Sequence, residues 1–104
     1  PVVIEHPVTG RPALYVNPVY TTRFEGWTVA ESQPLLSLLW RHSVSENFTC
    51  RLRWKPGMVA IWDNRCTVHN ALNDYQGLRR EMFRTSVRGT APAPRQPPDA
   101  HRGP

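Results

Sequence analysis

From Phe48 to Val87 the chain alternates between short apolar or amphipathic runs and turn-forming residues, and this punctuation restricts the fold more than any other feature. Phe48, Cys50, Leu52 and Trp54 alternate with Thr49, Arg51 and Arg53, the period of 2 that gives a strand one buried and one wet face. Lys55-Pro56-Gly57 turns that run into the apolar stretch Met58 to Trp62, which reads as a buried strand forming a hairpin with the first. Asp63-Asn64 then bends the chain before a further extended run, Cys66 to Ala71. The last run, Arg79 to Val87, also reads as a strand. Between these two lies Leu72 to Leu78, where Asn73, Asp74 and Gly77 supply turn chemistry, so an antiparallel hairpin is the simplest connection. Centred on Gln76 and Gly77, that hairpin sets His69 opposite Arg84.

Upstream, Pro1 to Pro12 reads as a loop or edge segment, with a Thr9-Gly10 turn, entering a strand over Ala13 to Asn17 that Pro18 closes. Val19 to Trp27 carries Tyr20, Phe24 and Trp27 and reads as an aromatic loop. Thr28-x-x-Glu31 is a capping-box pattern, and Leu35, Leu36, Leu38, Leu39 and His42 continue it as a helical stripe ending near Ser43 and packing on the sheet. Pro34 lacks the N–H that would bond back to Ala30, so either Ser32 is the cap or the first turn is distorted. From Gly89 onward GTAPAPRQPPDAHRGP has no periodicity. The expected division is therefore a folded unit over 1–89 and a Pro-rich disordered tail over 90–104.

Along Arg79 to Val87 the residues Arg80, Met82, Arg84 and Ser86 share one face. Two guanidiniums there suit a pocket for carboxylates or sulfonates, which the planar Arg fork binds bidentately. A solvated face, with Arg79 and Glu81 on the other side, is the plainer alternative. His69 is open to both a structural and a ligand reading. His6 is a ligand in principle, but beside Pro7 in a turn it is expected to be solvated.

The net charge of +5 comes from scattered arginines. No basic cluster interleaved with aromatics is present, so a nucleic-acid partner is not expected. Cys50 and Cys66 lack CxxC spacing and read as buried, reduced thiols in a cytoplasmic protein. No apolar run is long enough for a membrane span.

Three blocks occur in order with matching spacing: HPVTGRPALYVNPVYTTRFEGW, WKPGMVAIWDNRCTVHNALNDY and RREMFRTSVRGTAP. Over roughly residues 1–92 they resemble the C-terminal part of the taurine and chlorophenoxyacetate dioxygenases, nearest the taurine branch. The resemblance implies a mostly β fold, the C-terminal part of a double-stranded β-helix or jelly roll with one packed α-helix. It also implies Fe(II) as metal, with 2-oxoglutarate and dioxygen as co-substrates. The family holds its iron with a 2-His-1-carboxylate facial triad. Within the matched motif His69 corresponds to the distal His ligand. Arg80, 11 positions on, corresponds to the arginine on 2-oxoglutarate, and Arg84, 15 on, to the arginine facing the substrate's anionic group. No residue of this chain is carried over as a catalytic acid or base.

The proximal ligands of the family come from an H-x-D or H-x-E pair, and none of His6, His42, His69 or His101 has an acid two residues later. Trp62 and Asp63 stand close enough in sequence to His69 to support it without ligating iron. By this resemblance the complete enzyme hydroxylates a small anionic molecule, a sulfonate, sulfate ester or aryloxy acid, and is a homo-oligomer. The 104-residue chain alone is expected to be inactive. The competing reading is a catalytically incomplete anion-binding or assembly module of the same fold.

Overall fold

In the computed structural model, which describes residues 1–96, the first element is a strand within the segment expected to be a loop or edge segment. Val2, Val3 and Ile4 are β-branched and suit a pleated surface better than a helix. β1 (Val3–Glu5) pairs antiparallel with β2 (Pro12–Leu14), in the register Val3 with Leu14, Ile4 with Ala13 and Glu5 with Pro12. Beyond the ladder, the Tyr15 amide donates to the Val2 carbonyl at 2.7 Å. The connecting loop is closed by the His6 amide donating to the Arg11 carbonyl at 2.9 Å and the Gly10 amide to the His6 carbonyl at 2.8 Å.

The third strand lies in the stretch expected to be a tail. β3 (Ala93–Pro94) pairs antiparallel with β1, giving the order β2-β1-β3 with β1 in the centre. Proline is tolerated because β3 is an edge strand, where a missing N–H leaves no ladder bond unmade. Residues 97–104, with His101, lie outside the described residues. Ile4, on the central strand, is 1 % exposed and is the best-buried apolar side chain.

α1 (Val29–Ser43) starts where the capping-box pattern predicts. Thr28 is the cap: its Oγ1 accepts from the Glu31 amide at 3.2 Å, and the Glu31 carboxylate accepts from the Thr28 amide at 2.8 Å. The Thr28 amide, and the Thr28 hydroxyl donating to the same carboxylate at 2.8 Å, hold the Glu31 carboxyl below its ordinary range. Ser32 is not the cap but is fully buried, accepting from the Phe24 amide at 3.0 Å and donating to the Thr28 carbonyl at 2.8 Å. It thereby ties the helix start to the aromatic loop, in which Phe24 and Trp27 meet edge to face at 5.3 Å.

Pro34 sits inside α1, so one intrahelical bond is missing without ending the helix. Ser32 and Leu36 are buried and Leu39, Trp40 and Ser43 partly so, a stripe at helical spacing. Leu35 and Leu38, expected in that stripe, are exposed. Leu36 and Trp40 share a hollow with Val16 and Pro18, which puts the helix against the chain leaving β2.

The mostly β expectation is corrected over 48–87. Glu46–Phe48 is a short 3-10 turn, and none of the runs 49–54, 58–62, 66–71 or 79–87 pairs into a ladder among the described residues. The turns between them do form. The Met58 amide donates to the Lys55 carbonyl at 3.1 Å and the Leu78 amide to the Tyr75 carbonyl at 2.9 Å, with Gly57 and Gly77 at φ of 80° and 77°. Extended runs without a partner strand leave their apolar side chains uncovered: Ile61 is 94 % and Phe83 92 % exposed. Cys50 and Cys66, expected to be buried, are exposed free thiols for the same reason. The radius of gyration is 17.7 Å, against roughly 13 Å for a compact domain of this length. No helix among the described residues is long and apolar enough to cross a membrane.

Candidate functional site

The site is organised by the turn at 62–67, which follows the apolar run ending in Trp62. Asp63 bends it with both ends of the residue. Its side-chain Oδ1 accepts from the Arg65 amide at 2.9 Å, a local turn of the kind short acidic side chains favour. Its carbonyl accepts from the Thr67 amide at 3.0 Å and the Thr67 hydroxyl at 2.6 Å, starting the run that carries His69.

The Asp63 carboxylate is gripped from two directions. Arg65 forms a two-pronged pair, Nε to Oδ1 at 2.8 Å and Nη2 to Oδ2 at 2.6 Å, and His6 Nε2 lies 3.0 Å from Oδ2. The Arg65 fork, followed by the His6 bond, holds the Asp63 carboxyl far below the usual carboxylate range, and Asp63 in turn raises Arg65.

His6 is 7 % exposed, which corrects the expectation that it is solvated. Its Nδ1 faces two donors, the Val8 amide at 3.3 Å and the Thr9 amide at 3.2 Å. An N–H on Nδ1 would confront both, so Nδ1 accepts and Nε2 carries the proton donated to Asp63. The Pro7–Gly10 loop folds back on the ring, and that contact buries it.

His6, Asp63 and Cys66 place potential ligand atoms within 4.8 Å of one another. The donor set does not fit a metal. The outward nitrogen of His6 is protonated, and both Asp63 oxygens are committed to Arg65.

The residue expected to be a ligand is His69. Its imidazole is exposed, lies 4.8 Å from the Trp62 ring in a tilted contact, and makes no hydrogen bond among the described residues. The Trp62 indole N–H donates to Asn64 Oδ1 at 2.9 Å, so the turn also fixes the ring that His69 leans on. No group of three potential ligand side chains among the described residues includes His69.

Arg80 is half-buried with its guanidinium 5.0 Å from the centre of the Tyr75 ring, a cation–π contact across the Tyr75–Leu78 turn. Arg79 pairs with Glu81, as two residues on one side of an extended backbone do. Arg80 and Arg84 are left without an ion pair among the described residues, and Arg84 is exposed. No hydrogen bond joins His69, Arg80 and Arg84, and the ladder expected to set His69 against Arg84 is not formed.

Sequence reasoning missed the buried state of His6 and its bond to Asp63. The signal was the pairing of His6 with a following Thr9-Gly10 turn, whose amides suit a ring nitrogen.

Residues 1–86 match the family model described as "Taurine catabolism dioxygenase TauD, TfdA family". The alpha-ketoglutarate-dependent dioxygenase cnsM of Penicillium expansum is 45 % identical over 96 residues, covering 90 % of this chain and 27 % of the relative. The alpha-ketoglutarate-dependent sulfate ester dioxygenase of Pseudomonas putida is 40 % identical, over 88 % of this chain and 30 % of its own length. The alpha-ketoglutarate-dependent 2,4-dichlorophenoxyacetate dioxygenase of Cupriavidus pinatubonensis is 35 % identical, over 84 % and 30 %. The chain thus spans between a quarter and a third of the length of these relatives.

Proposed function

Since the chain belongs to the TauD/TfdA family of taurine catabolism dioxygenases, we propose that it forms part of an Fe(II)- and 2-oxoglutarate-dependent dioxygenase acting on a small anionic substrate. The assigned roles are His69 as one iron ligand, Arg80 as the partner of the 2-oxoglutarate carboxylate, and Arg84 as the partner of the substrate's anionic group. The complete domain is a jelly roll in this reading, and the whole enzyme is a cytoplasmic homo-oligomer.

One observation carries the reading: Arg79 is neutralised by Glu81, whereas Arg80 and Arg84 have no ion pair among the described residues. An uncompensated guanidinium resting on an aromatic face is ready for a carboxylate, because the ring holds it in place while leaving its fork free. Supporting it, the sulfate ester and aryloxyacetate dioxygenases above are named for anionic substrates.

Bound iron supplies the oxidising chemistry. Of this chain's residues, His69 offers a ring nitrogen, and the arginines bind and orient the two organic anions, deciding which substrate carbon faces the metal. Sulfonate, sulfate ester and aryloxy acid all present a compact anion that one guanidinium binds.

The test separates the arginines in the full-length enzyme. Arg80→Leu is expected to raise the 2-oxoglutarate requirement about tenfold to a hundredfold for every substrate, since a charge-assisted bond is lost. Arg84→Leu is expected to weaken an alkyl sulfate or alkylsulfonate by a similar factor and leave 2-oxoglutarate nearly unchanged. Equal losses for both ligands in both variants would show a shared electrostatic patch with no division of labour.

A further inference from the structure

His6 and Asp63 stand 57 residues apart in sequence, yet one hydrogen bond joins the hairpin loop after β1 to the turn that precedes His69. Every group along that connection has a fixed orientation. The Val8 and Thr9 amides hold His6 as the Nε2–H tautomer. His6 then places the carboxylate of Asp63, whose carbonyl begins the run 66–71 by accepting from Thr67. Trp62, next in chain to Asp63 and pinned by Asn64, presents its ring to His69.

We propose that the His6–Asp63 pair, buried on the His6 side, is a latch whose role is to orient the His69 imidazole, making His6 and Asp63 positioning residues for the metal ligand. The metal-binding part rests on the reading of His69 as an iron ligand; the orienting part does not. An exposed ring with no hydrogen bond of its own rotates freely unless its neighbours hold it, and here the Trp62 ring, in a tilted contact at 4.8 Å, is its one aromatic neighbour among the described residues. Without the latch, Asp63 keeps Arg65, its neighbour in the same turn, but among the described residues no other side-chain hydrogen bond ties that turn to the hairpin after β1. The Trp62 ring and His69 then lose their common reference. Arg65 cannot replace His6, because it moves with the turn.

The experiment uses the metal-free full-length protein with isotope-labelled histidine, and Co(II) as the probe of the site. His69 ring protons beside an indole carry a ring-current shift that reports their geometry. In His6→Ala and in Asp63→Ala that shift is expected to collapse and Co(II) affinity to fall about tenfold, the low end for residues that support a ligand. Asp63→Asn keeps an oxygen acceptor for His6 Nε2–H and is expected to retain both readouts. Thr28→Ala, which weakens the helix cap far from the latch, serves as the control for simple destabilisation and is expected to leave both unchanged. Parent-like His69 shifts in both alanine variants, or equal changes in Thr28→Ala, overturn the latch. If His69→Ala binds Co(II) as tightly as the parent, the ligand reading and the metal-binding part of the proposal fail together. The orienting part is then judged on the ring-current shifts alone.

Discussion

Asp63 keeps its charge because Arg65 covers both of its oxygens and His6 donates to one of them, and that has a consequence for stability. A carboxyl held below its ordinary value of 3.8 binds fewer protons folded than unfolded. Its contribution is therefore complete above the ordinary value and is lost as pH falls through the depressed one. The difference in melting temperature between the parent and Asp63→Asn should be constant from neutral pH down to about 4 and should narrow below it. A difference that stays level down to pH 2.5 would show that the unfolded chain preserves the Asp63–Arg65 pair, a contact local enough to survive unfolding.

At the scale of elements, the turns were legible from local chemistry and the ladders were not. Pro56-Gly57 and Gln76-Gly77 turn as their residues demand, because a type II turn needs φ above zero at its third residue and glycine supplies it without strain. Gly77→Ala should cost about 1–2 kcal/mol in the full-length protein. The added Cβ meets nothing within 4 Å, so the cost is backbone conformation alone. Gly89→Ala, also in open space but without a positive φ, should be near neutral by urea denaturation. The capping box at Thr28 was equally readable, being a pattern of four consecutive residues. The alternation over Phe48 to Trp54 shows only that a strand would have two unlike faces; the hydrogen bonds that make it one come from a neighbour. The same limit applied to the site. His69, Arg80 and Arg84 share one stretch, whereas the Thr9-Gly10 turn hints only at the His6 end of a bond whose other end, Asp63, stands 57 residues away.

On the scale of the molecule, the described residues bury few apolar side chains, chiefly Ile4, Val16 and Leu36, and leave Val59, Ile61, Phe83 and Val87 almost fully in water. Apolar side chains this exposed are ordinarily covered, and relatives about three times longer in sequence have the chain to cover them. The metal follows the same logic. A facial triad needs three protein ligands, and the 104 residues hold four histidines, none with an acid two positions later. Purified alone and supplied with Fe(II), 2-oxoglutarate and an alkyl sulfate, this chain should form no succinate above the protein-free rate, and it should bind an apolar fluorescent dye through its uncovered runs. Turnover that tracks protein concentration, with iron bound stoichiometrically, would mean that His69 recruits its missing partners from another copy of the same chain. In that event the rate should rise with the square of concentration at high dilution.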